Sequence, residues 1–345
     1  MQRFLFVLAM VGVLAACDTT KQVAQVPVVE VEERLLDTLY VTAPEITQEE
    51  EFYALPAYNP SAQQDNDLLH TRLEIAFDWD KEQVIGTAQL DVRPYFYPVN
   101  QLTLDAKSFT FSQVTLGDGT PLQYTYDGKQ INIQLPRYYN REETYQVKLS
   151  YVATPRADGG SDAITSDKGL FFINPRGEEG DKPRQIWTQG ETENNSRWFP
   201  TIDKPNERCT QEVYVTVPAN YATLSNGIKQ SFQYNADDTR TDYWLMDDPH
   251  APYLFMLAIG DFAVVEDAPW NNKPVNYYVE PEFATHAKAI FPHTPEMLTF
   301  FSNITGVPYP WDKYSQIVVR DYVSGPWKTQ RVLFSGSLCS VQKGN

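Results

Sequence analysis

Period-two alternation of apolar and polar residues, interrupted at short intervals by glycine, proline and aspartate, most limits what this chain can fold into. Leu73, Ile75, Phe77 and Trp79 alternate with Arg72, Glu74, Ala76 and Asp78. Successive side chains of a strand point to opposite faces, so this run predicts a strand with one buried face. Val84–Val92 follows a polar Asp80-Lys81-Glu82 turn and predicts a hairpin. Leu122, Tyr124 and Tyr126, then Ile131, Ile133 and Leu135, flank Asp127-Gly128 and predict another. Tyr145, Val147, Leu149 and Tyr151 alternate again, as do Val213, Val215 and Val217 before Pro218. The continuous apolar run Tyr253–Ile259 predicts a strand buried on both faces. Many short strands with such turns imply a mainly β fold, sandwich-like in its N-terminal part. An aromatic content of 13% agrees with that reading.

The pattern changes near residue 282. Phe283–Phe291 has helix-compatible composition. Thr294 before Pro295 suits an N-cap followed by proline at the first helical position. Met297, Leu298, Phe300 and Phe301 then form an apolar face at helical spacing, and Gly306 and Pro308 end the helix. Ile317–Val319 predicts one more strand. Together these read as the opening of a second, mixed α/β domain.

Residues 1–17 form a targeting segment. Arg3 precedes an apolar stretch, Phe4–Leu14, too short to span a bilayer as a mature helix. Leu14-Ala15-Ala16-Cys17 resembles a bacterial lipobox, which makes Cys17 the expected lipidation site and the membrane an expected partner. The alternative is an ordinary cleaved secretory peptide with an incidental cysteine. Residues 18–60 are acidic and without periodicity, the composition of a flexible tether. The expected location is therefore the bacterial cell envelope, outside the cytoplasm and lipid-anchored. A formal net charge of −17 argues against nucleic acid as a partner, because phosphate binding needs basic surface. Beyond Cys17 the chain has only Cys209 and Cys339, too few for a disulfide framework.

The four histidines, His70, His250, His286 and His293, include no His-Glu-x-x-His pair. That spacing matters because residues i and i+4 share a helix face, where two imidazoles can reach one zinc ion. Gly-x-Ser-x-Gly and a phosphate-cradling glycine loop are also missing from the sequence.

Four further stretches carry a family resemblance. They are the run 186–210, containing Trp187-Thr188-Gln189-Gly190-Glu191 and Arg197-Trp198-Phe199-Pro200; Leu224-Ser225-Asn226-Gly227; Ala258-Ile259-Gly260-Asp261-Phe262; and the run 308–325, from Pro308-Tyr309-Pro310-Trp311-Asp312-Lys313 to Gly325. In this order and spacing they resemble the M1 family of zinc aminopeptidases, over about residues 66–325. The resemblance implies an N-terminal β domain (saddle) at 61–264 and the start of a thermolysin-like α/β catalytic domain at 265–325. It implies that the loop carrying Gln189 and Glu191 projects into the catalytic cleft. There Glu191 would bind the free α-amine of a peptide, Gln189 would line the same pocket, and Gly325 would open the exopeptidase motif. A carboxylate facing an ammonium forms a short, charge-assisted bond, which fits that role; the alternative for Glu191 is a solvated loop carboxylate. Arg197 and Asp203 are expected to be structural. The family uses one zinc ion and acts on peptide N-termini.

After Gly325 the family pattern Gly-Ala-Met-Glu-Asn gives way to Pro326-Trp327-Lys328-Thr329-Gln330-Arg331. Codons CCA TGG AAA ACA CAA CGN encode that run, and one added G restores a frame reading Ala-Met-Glu-Asn-Thr-Thr. Residues 326–345 are therefore expected to be a frameshifted tail. On this reading the chain is a truncated fragment of an aminopeptidase, without catalytic residues or bound zinc of its own. The rival reading is a lipid-anchored β domain that binds peptides or a partner without catalysis.

Overall fold

The structure is a computed structural model that describes residues 63–155 and 169–322 together with the backbone of 331–335. Cys17, the expected tether 18–60 and Gly325 lie outside the described residues.

In chain order the strands are β1 (Asn66–Asp78), β2 (Gln83–Pro94), β3 (Val99–Asp105), β4 (Phe109–Leu116), β5 (Gln123–Tyr126), β6 (Gln130–Tyr139), β7 (Tyr145–Ala153), β8 (Leu170–Ile173), β9 (Gln185–Thr188), β10 (Cys209–Pro218), β11 (Ala222–Ser225), β12 (Ile228–Tyr234), β13 (Thr239–His250), β14 (Leu257–Gly260), β15 (Ala263–Glu266), β16 (Val275–Val279), β17 (Tyr314–Val319) and β18 (Arg331–Ser335). Two helices, α1 (Ala287–Ile290) and α2 (Thr294–Thr305), lie between β16 and β17. The fold is mainly β, as the alternation predicts.

The strands form a seven-stranded sheet in the order β12-β13-β10-β1-β2-β7-β4, two four-stranded sheets, β11-β14-β9-β8 and β15-β16-β17-β18, and a three-stranded sheet, β3-β6-β5. In the large sheet β1 and β2 pair as the predicted hairpin, with Leu73 opposite Ala88 and Glu74 opposite Thr87. Leu73 and Ile75 are buried while Glu74 is exposed, so the period-two pattern reports the core face directly. β1 also pairs in parallel with β10, in register from His70–Thr210 to Ile75–Val215, although the partners are 140 residues apart in sequence. The sheet of β8, β9, β11 and β14 is buried almost throughout; every residue of β8, β9 and β14 lies inside. One apolar core joins the large sheet, this inner sheet and the far side of β17 through Ile317 and Val319.

Two local expectations are corrected. The run Tyr253–Ile259 is not one strand: Pro252–Leu254 makes a turn of 3-10 helix and only Leu257–Gly260 joins a sheet. The carbonyls of Pro252 and Phe255 are taken by the Asn195 amide, which removes them from any ladder. Phe283–Phe291, of helix-compatible composition, is helical as far as Ile290, as a 3-10 segment, Pro281–His286, followed by the single-turn α1. Thr294 is not the N-cap; it is the first residue of α2, and its hydroxyl donates to Gln316 Oε1 on β17 (2.6 Å). Gly306, with φ of 69°, ends α2 in the left-handed region as the sequence predicts. Of the expected apolar face of α2, Leu298 is buried, whereas Met297, Phe300 and Phe301 are exposed, with Ile304 beside them.

Candidate functional site

The residues singled out from the sequence sit where β9 leaves the core. Its four residues are buried; the Trp187 ring stacks on Phe171 at 4.1 Å, and its Nε1–H donates to the Arg320 carbonyl (3.1 Å). Thr188 exchanges hydrogen bonds with the Leu257 backbone on β14, through its hydroxyl and the Leu257 amide. A strand held on both faces gives the next residues a fixed point of departure.

Gln189 is buried, and its backbone N–H donates to the Gly169 carbonyl (2.8 Å). Gly190 follows because nothing larger fits: a Cβ there would lie 2.2 Å from the Tyr253 carbonyl oxygen and 2.5 Å from Asn195 Nδ2. Glu191 then emerges with its side chain exposed. Its turn is closed from behind. Asn194 N–H donates to the Gly190 carbonyl (2.8 Å), and Asn194 Nδ2 donates to the Glu191 carbonyl (2.6 Å). The carboxylate is thus free to meet a ligand while its backbone is fixed, the combination that lets a carboxylate recognise an ammonium group.

Three further residues secure this loop, Asn195 and Lys204 from within the quoted run but not singled out from it, and Lys107 from outside it. Asn195 is fully buried; its Nδ2 donates to the carbonyls of Pro252 (2.7 Å) and Phe255 (2.9 Å), and its Oδ1 accepts from Trp198 Nε1 (2.8 Å). Lys107 reaches in from the turn after β3, with its backbone N–H on the Ser196 carbonyl and its ammonium on the Glu193 carbonyl. Lys204 pairs with the Glu193 carboxylate (2.6 Å). No single-sequence pattern marks Asn195, because a polar residue beside a turn reads as solvated.

Asp203 fulfils the structural expectation. It is buried, and its Oδ2 accepts the Ser196 N–H (2.9 Å) while its own N–H donates to Asp105 Oδ2 (3.1 Å). Arg197 is buried as well. Burial pushes the Asp203 carboxyl up to about 6, against the pull of the Ser196 hydrogen bonds and Lys107, with Asp105 adding repulsion. Glu207, on the same segment, is pushed up to about 7 by burial, opposed by the Arg208 N–H and reinforced by Asp67. A carboxyl whose folded value lies above its unfolded one favours the fold while protonated. That contribution is complete below about pH 4 and is lost as pH rises through 6 to 7. The Asp203→Asn, Glu207→Gln double variant keeps one acceptor oxygen at each position and removes the titration. Relative to wild type it should gain on the order of 3 kcal/mol in going from pH 4 to pH 7. Urea unfolding of both proteins across that range tests this; parallel curves would refute it.

The structure also brings the run 308–325 beside this loop as far as it is described. Arg320 N–H donates to Gln185 Oε1 (2.9 Å), Arg320 forms a two-point ion pair with Glu280, and Tyr322 packs 5.3 Å from the Trp187 ring. The described part of this run, as far as Tyr322, therefore meets β9 of the inner sheet from the segment that follows β17 of a different sheet. Lys313 is buried, with its ammonium on the carbonyls of Ser225 (2.7 Å) and Gly227, beneath the Trp244 ring at 5.1 Å. It locks the start of β17 to the Leu224–Gly227 motif.

Among the described residues no three His, Cys, Asp or Glu side chains converge as metal ligands. His70 bonds Thr210, His250 is buried against Gln211, and His293 meets Glu296, each in a separate place. This donor set does not fit zinc.

Residues 59–254 match the Peptidase M1 N-terminal domain. The chain is 25% identical over 208 residues to human glutamyl aminopeptidase, covering 57% of this chain and 22% of that one. It is 22% identical over 299 residues to zebrafish transcription initiation factor TFIID subunit 2, covering 76% of this chain and 24% of that one. The fold matches an M1 zinc metallopeptidase from Deinococcus radiodurans with a TM-score of 0.60 at 19% identity, over 73% of this chain and 56% of that one. A variant of the same enzyme solved with a Tyr-Ser-Ala substrate matches with a TM-score of 0.61. The chain therefore spans about a quarter of the curated relatives and just over half of the solved one. Its matched region exceeds half its own length, and by that measure the chain belongs to the M1 peptidase family, with its N-terminal domain at residues 59–254.

Proposed function

We propose that this chain carries the substrate-amine recognition half of an aminopeptidase site and that, by itself, the polypeptide binds peptide N-termini without hydrolysing them. The carrying observation is the Gln189–Glu191 loop: an exposed carboxylate on a backbone pinned by Asn194 and Asn195 at the end of a buried strand. Glu191 accepts the peptide ammonium and Gln189 closes the pocket floor. In the family zinc supplies an activated water. The described residues lack its donor set, and the 345 residues contain no His-Glu-x-x-His, so no step is assigned to zinc here. The exposed apolar side chains of α2 support the view that this polypeptide is one part of a larger catalytic unit. We place the protein in the cell envelope, tethered through lipid on Cys17 and residues 18–60.

Calorimetry of the purified chain with a short peptide tests the reading. A free amino terminus should bind at least about tenfold more tightly than its acetylated form, and Glu191→Gln should erase the difference. Aminoacyl anilides with added zinc should not turn over. Equal binding of free and acetylated peptides, or zinc-dependent release of the anilide, would sink it.

A second reading has its own support. The similarity to a TFIID subunit extends over 76% of this chain, about as much as the 74% for pig glutamyl aminopeptidase, and that relative is named for a transcription complex, not for a peptidase. A β domain that serves as an interaction module predicts a partner protein that binds independently of Glu191.

A further inference from the structure

The loops at one end of the large sheet carry a dense group of exposed aromatic side chains. Between β2 and β3, Phe96 and Tyr97 are 60% and 82% exposed; on β6, next to Tyr139, Tyr138 is 63% exposed. Phe96 packs edge-on against Tyr95 at 4.5 Å, and the Arg141 guanidinium lies 5.3 Å from its ring centre. Arg137 stacks on Tyr139 at 3.9 Å, and Tyr139 pairs with Val99, which joins the two loops into one surface. Hydrophobic side chains scattered singly need no explanation, but several exposed aromatics around one pair of joined loops do. Its charges are largely balanced: Arg137 pairs with Glu143 and Arg93 with Asp67. Neither strong attraction nor strong repulsion toward a charged partner follows. What remains is a set of amphipathic rings, each with an apolar body, and arginines whose stems can lie along them, the composition that settles at a lipid–water boundary.

The path of the chain supplies the occupant. Asn66 pairs with Pro94, and the Asp65 carbonyl accepts the Tyr95 N–H (2.8 Å). Residues 63–65 therefore enter the domain directly beside the aromatic loop, and Gln63 and Gln64 share a cavity of about 340 Å³ with Pro98 and Val99. The opposite end of the sheet holds the β1–β2 turn, Pro218 and the β12–β13 turn, as the pairings Asp78–Gln83 and Pro218–Thr239 require. β1 alone has 13 residues, about 40 Å of strand between the two ends.

Combining the two, we propose that this face, centred on Phe96, Tyr97 and Tyr138, rests in the interfacial layer of the membrane to which the chain is tethered. The inference builds on the Cys17 anchor of the proposed function and goes beyond it by fixing an orientation. A flexible segment of the length of residues 18–62 would reach roughly 40 Å, too loose to orient a domain alone. A second, aromatic contact at the point where the tether arrives would hold one end down.

The test uses the full lipidated chain in vesicles of phosphatidylethanolamine with a minority of phosphatidylglycerol. Tyr97→Cys and, at the far end, Tyr234→Cys are made with Cys339→Ser and labelled with a polarity-sensitive fluorophore. Cys17 is blocked by its acyl groups. Cys209 is buried, with its thiol pushed up to about 12, and does not compete for label. At position 97 the emission should shift to the blue on vesicle binding, lose its quenching by aqueous iodide and gain quenching by lipid-borne nitroxide. Position 234 should stay wet. If protein floats with vesicles yet both positions behave alike, the orientation is wrong and the anchor stands. If mass analysis shows Cys17 unmodified and the protein does not float, both fall. Dry emission at position 97 without vesicles would instead reveal a protein–protein contact and overturn the proposal.

Discussion

Replacing Asn195 with alanine is expected to destabilise the protein by about 4 kcal/mol and to abolish selective binding of free peptide amines. The side chain is fully buried and meets three partners: two carbonyls, from Pro252 and Phe255, and the Trp198 indole N–H. Alanine removes this partner from the Phe255 carbonyl and the Trp198 N–H and leaves the Pro252 carbonyl only its bond from the Phe255 N–H (3.1 Å), and each stranded polar group costs about 1–3 kcal/mol. It also removes the surface against which Gly190 packs, so the backbone of Glu191 loses its rear support. For a domain of this size the melting temperature should fall by roughly 10 °C. Asn195→Asp is expected to be no better, because it turns a donor toward two carbonyls into a buried carboxylate facing them. Thermal unfolding and peptide calorimetry on the same preparations decide the matter. A variant that melts like wild type, or that keeps a full preference for free over acetylated peptide, would show that Asn195 does not hold the loop.

Lys313→Met is the second large effect. The ammonium is the sole cation placed on the Ser225 and Gly227 carbonyls among the described residues, and it joins the start of β17 to the β11 loop. Methionine matches its volume but donates nothing, so the variant should lose about 2 kcal/mol at pH 7. Burial pushes the Lys313 amine down to about 7, against the opposing charge of Asp312. The unfolded chain, with an ordinary lysine, therefore holds more protons than the folded one between about pH 7 and 10. Stability of the wild type rises with pH across that window, since the unfavourable buried charge is relieved while the N–H donors remain. Lys313→Met lacks the titration, so the gap between the two proteins should widen from pH 7 to pH 10. Urea melts at the two limits measure it, and a gap that narrows would contradict the assignment.

The sequence was most informative where one face of an element is buried and the other is wet. Leu73 and Ile75 against Arg72 and Glu74 reveal β1 because burial itself has a period of two there. It was least informative in the inner sheet, where β8, β9 and β14 are covered on both faces and only four residues long. There the apolar run Tyr253–Ile259 gave no hint that it would break, because the cause lies in Asn195, far away in the chain. The loop of Gln189 and Glu191 was found through its family resemblance; neither periodicity nor charge marks it. Its supports, Asn195 and Lys107, take their meaning from carbonyls contributed by other segments, as does Lys313 beside β17, and such partnerships leave no trace in a single sequence. The exposed side of α2 shows the converse: a helical apolar pattern states what a surface can bury, not what is present to cover it.

The parallel pairing of β1 with β10 has a kinetic consequence. Its partners are separated by 140 residues, and a loop of that span must close before the first cross-strand bond forms. During synthesis β1 and β2 can form their hairpin early, but the central strand of the sheet stays half-paired until Val215 has left the ribosome. The Gln189–Glu191 turn lies inside that interval, so it acquires its shape only as the closure completes. On the proposed function, recognition of peptide amines is then gained late as the domain matures and lost early when synthesis is interrupted.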